Sequence, residues 1–463
     1  MRYVVLACAA GALLSLLVLP SAPLHDQWAW IVWGRELVHL DLDASAGPAW
    51  KPLPVAVTGL LSIFGGAAPS LWLAVARFGG LLSLAVGYRL AGRLGGWSAG
   101  VAAVIALLSS WLVNVSLGIA EGLLVGLLLW AIERHLDGRR PQALALAFAA
   151  ALIRPEVWPF LGLYGLWLWF ADRSARTRLL VAALLALVPV LWFAPDALLV
   201  GEPLRSSEEA QSGATAVSAT DVLGRTFDLV PLPVHLAALV AVGIAARRRA
   251  WAPLSLAAGA AAYVVVELGL TVVGGYEGVA RFVYPVLALE SVLAGVGVAW
   301  VMEGAATWLA PRVRARDPAF AQRAPRIAAA TVALAAVPIG AWRVAHLVDQ
   351  LEPTTARAGF YEDLGDLVAR AGGPERLRAC GIPYASSAQA PAVAWRLRVH
   401  IPRVRTRPRP PGVVFRVAPR ERAGIESNVL PVQKVSVSSR RFRRSALAGP
   451  WEALAACRAT SRS

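Results

Sequence analysis

Long apolar runs, separated by short polar stretches, fill the chain from residue 2 to residue 348. A helix needs roughly 20 apolar residues to cross about 30 Å of hydrocarbon. Runs near or above that length predict about eleven membrane helices, at residues 2–19, 71–91, 97–113, 118–134, 141–153, 155–171, 178–194, 230–246, 251–273, 282–303 and 325–348. No comparable run follows. We therefore predict an all-α polytopic membrane bundle over residues 1–350 and a small α+β domain over residues 351–463. This domain is predicted to open with an amphipathic helix, Phe360 to Ala371, and to contain short strands such as Val413 to Val417.

The first apolar run shares features with a signal peptide, since Arg2 opens it and the small residues Ser21 and Ala22 follow it. Pro23 makes a poor cleavage context, and many further apolar runs come after it. We therefore predict that this run is retained as the first membrane helix.

Arginine marks every second loop between the predicted helices, and such loops are cytoplasmic by the positive-inside bias. The basic loops carry Arg89 and Arg93, then Arg134, Arg139 and Arg140, then Arg173, Arg176 and Arg178, then Arg247, Arg248 and Arg249, then Arg312, Arg314, Arg316, Arg323 and Arg326. This bias predicts a multi-pass protein of the cell membrane with a cytoplasmic N-terminus. Because the number of helices is odd, the C-terminal domain is predicted to be extracytoplasmic.

Two apolar segments do not fit a simple crossing. Residues 53–66 are too short, and counting them as a span would invert every later loop, so we predict a helix at the outer interface. Residues 141–171 are interrupted by Arg154-Pro155-Glu156. The residue before a proline resists helix, so we predict two short helices that meet inside the membrane and line a cavity.

The composition supports a membrane protein with a basic exported domain. Hydrophobic residues make up 57% of the 463 residues and charged residues 16%, with a formal net charge of +16. From Glu352 to Ser463 there are 20 Lys and Arg against 8 Asp and Glu. This excess predicts attraction to membrane lipids or to an anionic envelope polymer, or else a solvated surface of biased composition. We predict no nucleic-acid partner, because an exported domain does not meet one.

The positions of the three cysteines do not decide whether the C-terminal domain contains a disulfide. Cys8 lies within the first predicted helix, whereas Cys380 and Cys457 lie in the C-terminal domain. An extracytoplasmic location permits a disulfide between the latter two, and two unpaired thiols are an equal alternative.

The first outer loop, residues 20–52, contains a predicted helix with Trp30, Trp33 and Leu37 at helical spacing. This spacing suits a helix that rests on the membrane interface with aromatic anchors. Asp26 stands at its start. The carboxylate there has two interpretations, a helix N-cap or a general base at the mouth of a cavity.

Cations on the predicted outer face are sparse, so each is expected to have a partner of opposite charge or a ligand. The candidates for binding a phosphate are Lys51, Arg154, Arg281 and Arg205. Their structural alternatives are ion pairs with Glu121, Glu156 or Glu277, or side chains that reach the lipid headgroups. Arg77 and Glu121 are expected to pair or cap within the bundle, and His25 to help position an acceptor. We predict no zinc cluster, phosphate-binding loop or serine nucleophile elbow.

Several of these short motifs together resemble the GT-C superfamily of membrane glycosyltransferases, which includes protein O-mannosyltransferases and the aminoarabinose transferases of lipid A. The resemblance covers residues 1–350 and rests on Asp26 after the first span, Lys51 to Pro54, Arg77, Arg154 to Glu156, Gly201 to Ser206 and Arg281 to Pro285. Gln27 stands where the family commonly has a second acidic residue, which leaves a divalent metal requirement open.

This resemblance implies a hexosyl or pentosyl transferase that uses a polyprenyl-phosphate sugar as donor and a glycan, lipid or protein of the envelope as acceptor. It implies Asp26 as the base, and Lys51, Arg154, Arg281 and Arg205 around the leaving phosphate, with Glu121 and His25 nearby. One base and no nucleophile pair favour inversion. The alternatives are an envelope lipid or glycan transporter or flippase, and a non-catalytic membrane scaffold. No cofactor is predicted.

Overall fold

The structure, a computed structural model, describes residues 1–212, 217–314, 318–419, 434–437 and 440–457. The helices in these residues are α1 (Arg2–Val18), α2 (His25–Val38), α3 (Pro52–Ser62), α4 (Ala68–Gly95), α5 (Trp97–Leu107), α6 (Trp111–Ser116), α7 (Glu121–Leu136), α8 (Arg140–Ala151), α9 (Trp158–Ala171), α10 (Ala175–Pro195), α11 (Arg205–Ser212), α12 (Ala219–Asp228), α13 (Leu232–Arg248), α14 (Trp251–Leu268), α15 (Tyr284–Arg314), α16 (Pro318–Arg370), α17 (Gly373–Cys380) and α18 (Ala390–Leu397). Shorter helical turns occupy Gly65–Ala67, Pro155–Val157, Asp196–Val200, Gly269–Val273, Ala280–Val283 and Ile401–Arg403. The strands are β1 (Ile382–Tyr384), β2 (Gly412–Val417), β3 (Arg443–Ala448) and β4 (Trp451–Ala456).

Each predicted membrane helix overlaps an observed helix, except that residues 97–113 are divided between α5 and α6 by a break at residues 108–110. Within the described residues, five helical stretches are long and apolar enough to cross a membrane by themselves: Gly65–Gly95, Ala175–Val200, Trp251–Val273, Ala280–Pro311 and Arg326–Arg370. The pair α12 and α13, bent by 94°, raises this number to six if it counts as one span. The chain is thus a helical membrane protein, and the count of about eleven crossings stays a prediction.

Close backbone approach holds the centre of the bundle together, where α4, α5, α7 and α15 pack against one another. A Cβ atom on Gly79 would lie 2.3 Å from the backbone nitrogen of Leu123, and one on Gly295 would lie 2.3 Å from the carbonyl oxygen of Ala99. Small residues permit such contact between membrane helices, where dispersion forces must replace a hydrophobic driving force.

The predicted break between residues 141 and 171 is present. Helix α8 ends at Ala151, and Arg154 adopts an extended conformation, with φ −142° and ψ 132°, before Pro155. Helix α9 then begins at Trp158. The proline restricts Arg154 as expected, and the irregular backbone carries the Arg154 side chain toward the cavity described below.

Helix α2 forms as predicted, but its tryptophans do not lie at a lipid interface. Trp30 and Trp33 are 1% and 0% exposed, because α2 is packed between α3 and α18. A Cβ atom on Gly34 would lie 2.4 Å from Thr58 Oγ1. The prediction of aromatic anchors was therefore wrong, and the tryptophans join the outer loop to the rest of the protein.

The last predicted membrane helix continues without a break into the C-terminal domain. A separate helix was predicted over residues 360–371, but those positions complete α16, which runs unbroken for 53 residues. The predicted strand over residues 413–417 lies within β2. Four strands follow the order β1-β2-β4-β3, with β1 parallel to β2 and the other pairs antiparallel.

Two contacts fasten the sheet to the helices. Trp451 of β4 packs on Phe360 of α16, with ring centroids 4.7 Å apart, and its indole N–H donates to the Phe360 carbonyl over 2.8 Å. A disulfide joins Cys380, at the end of α17, to Cys457, just after β4. The structure thus selects the paired alternative for these cysteines.

Candidate active site

A cavity of about 570 Å³ lies at the predicted outer end of the bundle. The first outer loop, the break before α9 and the segments around α11 and α15 form its walls. Asp26, Lys51, Arg154 and Arg281 line it together, although they are far apart in the sequence. The structure therefore brings the candidate base and three candidate cations into one space.

Asp26 occupies the first turn of α2 and is not the N-cap, because Leu24 takes that position. The Asp26 side chain is 27% exposed, and its Oδ2 lies 3.7 Å from Arg281 Nη2. Burial raises the pKa of the Asp26 carboxyl, but the hydrogen bond with His25 and the charges of Arg281 and Lys51 outweigh burial and lower it. Asp26 is thus a carboxylate at neutral pH, able to accept a proton.

Three cations surround one oxygen of Glu121, which begins α7 and is 1% exposed. Glu121 Oε1 lies 3.9 Å from Lys51 Nζ, 3.7 Å from Arg154 Nη1 and 3.9 Å from Arg281 Nε. These distances exceed hydrogen-bond length. Glu121 therefore attracts the cations through charge, and the donor groups of Lys51 and Arg281 keep capacity for an additional oxygen ligand.

Lys51 and Arg281 differ from Arg154 in that capacity. Within the described residues, Lys51 Nζ makes no hydrogen bond and rests 5.1 Å from the Trp30 ring centroid. The Arg281 side chain is 32% exposed. Both cations can reach an anion in the cavity with little rearrangement.

Arg154 is already neutralised. It pairs with Glu156 through two hydrogen bonds, its Nε donating to Glu156 Oε2 over 3.0 Å, and its guanidinium lies over the Phe282 ring at 3.4 Å. The structural interpretation of Arg154, an ion pair with Glu156, is the one that these contacts favour. An arginine held in this way shapes the site and contributes less to a ligand than Lys51 or Arg281.

Arg205 does not line this cavity. Its Nη2 donates to the Gly47 carbonyl over 2.7 Å, so Arg205 braces the first outer loop. Arg77 does not pair with Glu121, contrary to one expectation. Instead, its guanidinium donates to the carbonyls of Ser15 and Leu19 over 2.9 and 2.7 Å, and so caps the end of α1.

A second cluster joins the first outer loop to the C-terminal domain. Glu36 of α2 is 2% exposed, its Oε1 lies 3.0 Å from His400 Nδ1, and its Oε2 accepts a hydrogen bond from the Asp43 backbone N–H. Burial raises the pKa of Glu36 to about 7, against the opposing effects of the Asp43 N–H and His400. Arg35 next to it donates to the Val399 carbonyl over 2.9 Å. The C-terminal domain thus contacts α2, the helix whose first turn carries Asp26.

An apolar groove of about 760 Å³ lies next to the charged cavity, and the N-terminal ends of α9 and α15 stand between the two. Phe160 and Tyr263 stack within its wall, with ring centroids 5.7 Å apart, and Val157 and Pro285 also line it. Val157 follows Arg154 closely in the chain, and Pro285 follows Arg281. The same two segments therefore separate a charged cavity from an apolar groove.

Sequence reasoning missed several residues of this region. Glu36, Glu209 and His400 carried no motif, and the tryptophans Trp158 and Trp192 of the cavity wall looked like ordinary membrane residues. Only their packing reveals them. In the described residues, no group of three or more His, Cys, Asp or Glu side chains is placed to hold a metal ion.

The fold is that of a helical membrane protein in which one acid and several cations line a common cavity. No protein-family model matches the sequence, and no curated protein matches it significantly. The similarity lies in the structure. ArnT from Cupriavidus metallidurans bound to undecaprenyl phosphate superposes with a TM-score of 0.59 at 14% identity, covering 99% of this chain and 98% of ArnT.

The same enzyme in the apo state superposes with a TM-score of 0.59 at 16% identity, covering 98% of this chain and 97% of ArnT. The Archaeoglobus fulgidus oligosaccharyltransferase is more distant, with a TM-score of 0.46 at 12% identity over 86% of this chain and 64% of its own. The two ArnT structures cover nearly the whole chain and confirm the predicted resemblance at the level of the fold.

Proposed function

We propose that the protein transfers a sugar from a polyprenyl-phosphate carrier to an acceptor hydroxyl at the extracytoplasmic face of the membrane. One observation carries the proposal: Asp26, Lys51 and Arg281 line a single cavity, with Arg281 Nη2 3.7 Å from Asp26 Oδ2. Transfer from a phosphate-linked sugar needs a base for the acceptor and cations for the leaving group. This cavity supplies both.

The two neighbouring spaces suit an amphipathic donor. The phosphate fits the charged cavity beside Lys51 and Arg281, and an isoprenoid chain fits the apolar groove walled by Phe160 and Tyr263. The likeness to an ArnT structure that holds undecaprenyl phosphate supports this division. A buried polar end and an apolar tail are typical of lipid-carrier sites.

In the proposed reaction, the acceptor oxygen forms a bond to the anomeric carbon while the bond from that carbon to the phosphate oxygen breaks. The acceptor proton passes to Asp26, and the phosphate departs with the electron pair, stabilised by Lys51 and Arg281. A single displacement inverts the anomeric configuration.

Donor binding also prepares the base. In the free protein, Arg281 and Lys51 help to lower the pKa of Asp26, which makes it a weak base. A bound phosphate takes up part of their positive charge, so the pKa of Asp26 rises toward its ordinary range. Asp26 therefore becomes a more effective base only when the donor is present, which limits wasteful attack by water.

The direct test uses purified protein in lipid nanodiscs with a panel of undecaprenyl-phosphate hexoses and pentoses and with envelope fractions as acceptors. Loss of general-base catalysis typically costs about 10²- to 10⁴-fold, so Asp26→Asn should lower turnover by that amount. Asp228→Asn is a matched control, because Asp228 is an exposed carboxylate on α12. Equal turnover by wild type and Asp26→Asn would exclude Asp26 as the base, and movement of lipid without sugar transfer would favour a flippase.

A further inference from the structure

A second cavity, of about 630 Å³, adjoins the first one on the side of the C-terminal domain. Its polar lining comes from the first outer loop, from α11 and from the C-terminal domain: His25, Ser45, Arg205, Glu209, Ser387 and Thr406. These six side chains carry hydroxyl, imidazole, guanidinium and carboxylate groups, and the other seven lining residues are glycine or apolar. Such a lining suits a hydrated, hydroxyl-rich ligand and not an acyl chain.

The two cavities meet beside the candidate base. His25 and Glu209 line both of them, and His25 Nδ1 lies 3.3 Å from Asp26 Oδ1. A molecule in the second cavity therefore has a route to Asp26 that does not pass Lys51 and Arg281. An acceptor must approach on a side that the donor phosphate leaves open, and this route provides one.

A row of arginines lies in the chain segment that supplies Val404 and Thr406 to the second cavity. Arg403, Arg405, Arg407 and Arg409 occupy every second position and are all exposed. Within the described residues, none of these four side chains has an ion pair or a hydrogen bond of its own. Between them, Val404 and Thr406 line the cavity.

The backbone of this segment is irregular. Arg403 ends the short turn Ile401–Arg403, Arg405 forms a parallel bridge beside β1, and bends follow at residues 406 and 407. Pro408 and Pro410 keep the preceding residues out of helix. The four arginines are therefore separate, exposed cations along a bent chain. Several such cations match a flexible ligand with repeated negative charges, whereas a single small anion would use only one of them.

We propose that the acceptor is a linear, hydroxyl-bearing polyanion, such as a polyol-phosphate or acidic glycan chain, held by Arg403, Arg405, Arg407 and Arg409. One of its hydroxyl groups enters the second cavity and reaches Asp26 past His25. The acceptor role rests on the proposed transferase function, while binding by the arginine row does not. The C-terminal domain thereby selects the acceptor and the membrane domain binds the donor.

The binding test measures fluorescence anisotropy of labelled poly(glycerol phosphate) with the full chain in phosphatidylcholine nanodiscs, and dextran serves as the neutral probe. Changing all four arginines of the row to glutamine should weaken binding about 30-fold at 0.1 M salt, on the scale of four exposed charge contacts. The control changes Arg173, Arg176, Arg247 and Arg249 to glutamine, which removes the same charge from exposed arginines of the other predicted face. It should bind as wild type does.

Several results would overturn the assignment. Equal losses in both quadruple variants would mean that net charge alone attracts the polymer. Equal binding of dextran would exclude charge recognition. Binding only to nanodiscs that contain anionic phosphatidylglycerol, with none to the polymer, would make the arginine row a membrane contact.

The transfer test separates this inference from the proposed function. The donor in this assay is an undecaprenyl-phosphate sugar. The variant Ala388→Trp fills the second cavity, so its KM for the acceptor should rise at least tenfold while donor binding is unchanged. Ala388→Ser is the matched control. If wild type binds the polymer but transfers no sugar from any donor, the transferase proposal fails, whereas the proposal that the arginine row binds the polymer stands. If transfer proceeds with an unchanged acceptor KM in Ala388→Trp, the acceptor route is wrong.

Discussion

The charge state of Lys51 gives the sharpest test of the phosphate site. Burial lowers the pKa of Lys51 to about 8; the nearby Glu121 opposes that shift, and Arg154 and Arg281 add to it. The free protein therefore loses this positive charge as pH rises above 8, well before an exposed lysine would. We predict that affinity for a polyprenyl phosphate falls over the same range.

The size of the effect follows from the fraction of protein that carries the charge. At pH 9, about one molecule in ten retains protonated Lys51, and apparent affinity is reduced by that fraction. Affinity should thus fall about tenfold for each pH unit above 8, or ~1.4 kcal/mol. The second ionisation of a phosphate monoester lies near pH 6, so the ligand keeps a constant charge.

Binding of undecaprenyl phosphate can be followed from pH 7 to pH 10 by intrinsic fluorescence, because the Trp30 ring lies 5.1 Å from Lys51 Nζ. Lys51→Met should bind weakly at every pH, with a flat profile. Lys51→Arg keeps its charge throughout and should also give a flat profile. A wild-type profile as flat as that of Lys51→Met would refute a role for the Lys51 charge in holding the phosphate.

Three further predictions concern stability. The pKa of Glu36 is about 7 in the folded state and 4.5 ordinarily. Wild type should therefore lose stability relative to Glu36→Gln as pH rises from 4.5 to 7, by up to ~3 kcal/mol, and should lose no more above pH 7. A difference in thermal midpoint that stays constant with pH would contradict this. Cys457→Ser opens a bridge between positions 77 residues apart and should destabilise the C-terminal domain by about 4 kcal/mol, measured by proteolysis with and without reductant. Gly34→Ala should lower the thermal midpoint through an overpacking cost of about 1–3 kcal/mol, whereas Gly66→Ala, in open space, should not.

The membrane helices could be located from the sequence because apolar length is a local property. The run at residues 178–194 must bury its backbone in lipid as a helix whatever surrounds it, and α10 confirms this. Pro155 likewise acts on its immediate neighbour, so the break before α9 was predictable. The charges of the predicted outer face were also visible in the sequence, since any cation there departs from the positive-inside bias.

The sequence left the choice between possible partners open, because most of the competing contacts join residues that are far apart along the chain. The sequence left Arg154 with two interpretations, a phosphate ligand or an ion pair with Glu156, and the structure places its guanidinium against Glu156. Arg205, another candidate phosphate ligand, contacts the Gly47 carbonyl. The burial of Trp33 depends on α3 and α18 covering α2. A local pattern carries no information on which element will cover it.

The amino-acid sequence by itself therefore determined the membrane class, the helix positions, the break at Pro155 and the set of unusual outer charges, because each follows from short-range preference for lipid or water. Only the tertiary structure decided which charges meet. It gathered Asp26, Lys51 and Arg281 around one cavity, paired Cys380 with Cys457, and set the C-terminal domain against α2. Those outcomes depend on long-range packing, in which one contact is chosen over many others of similar local energy.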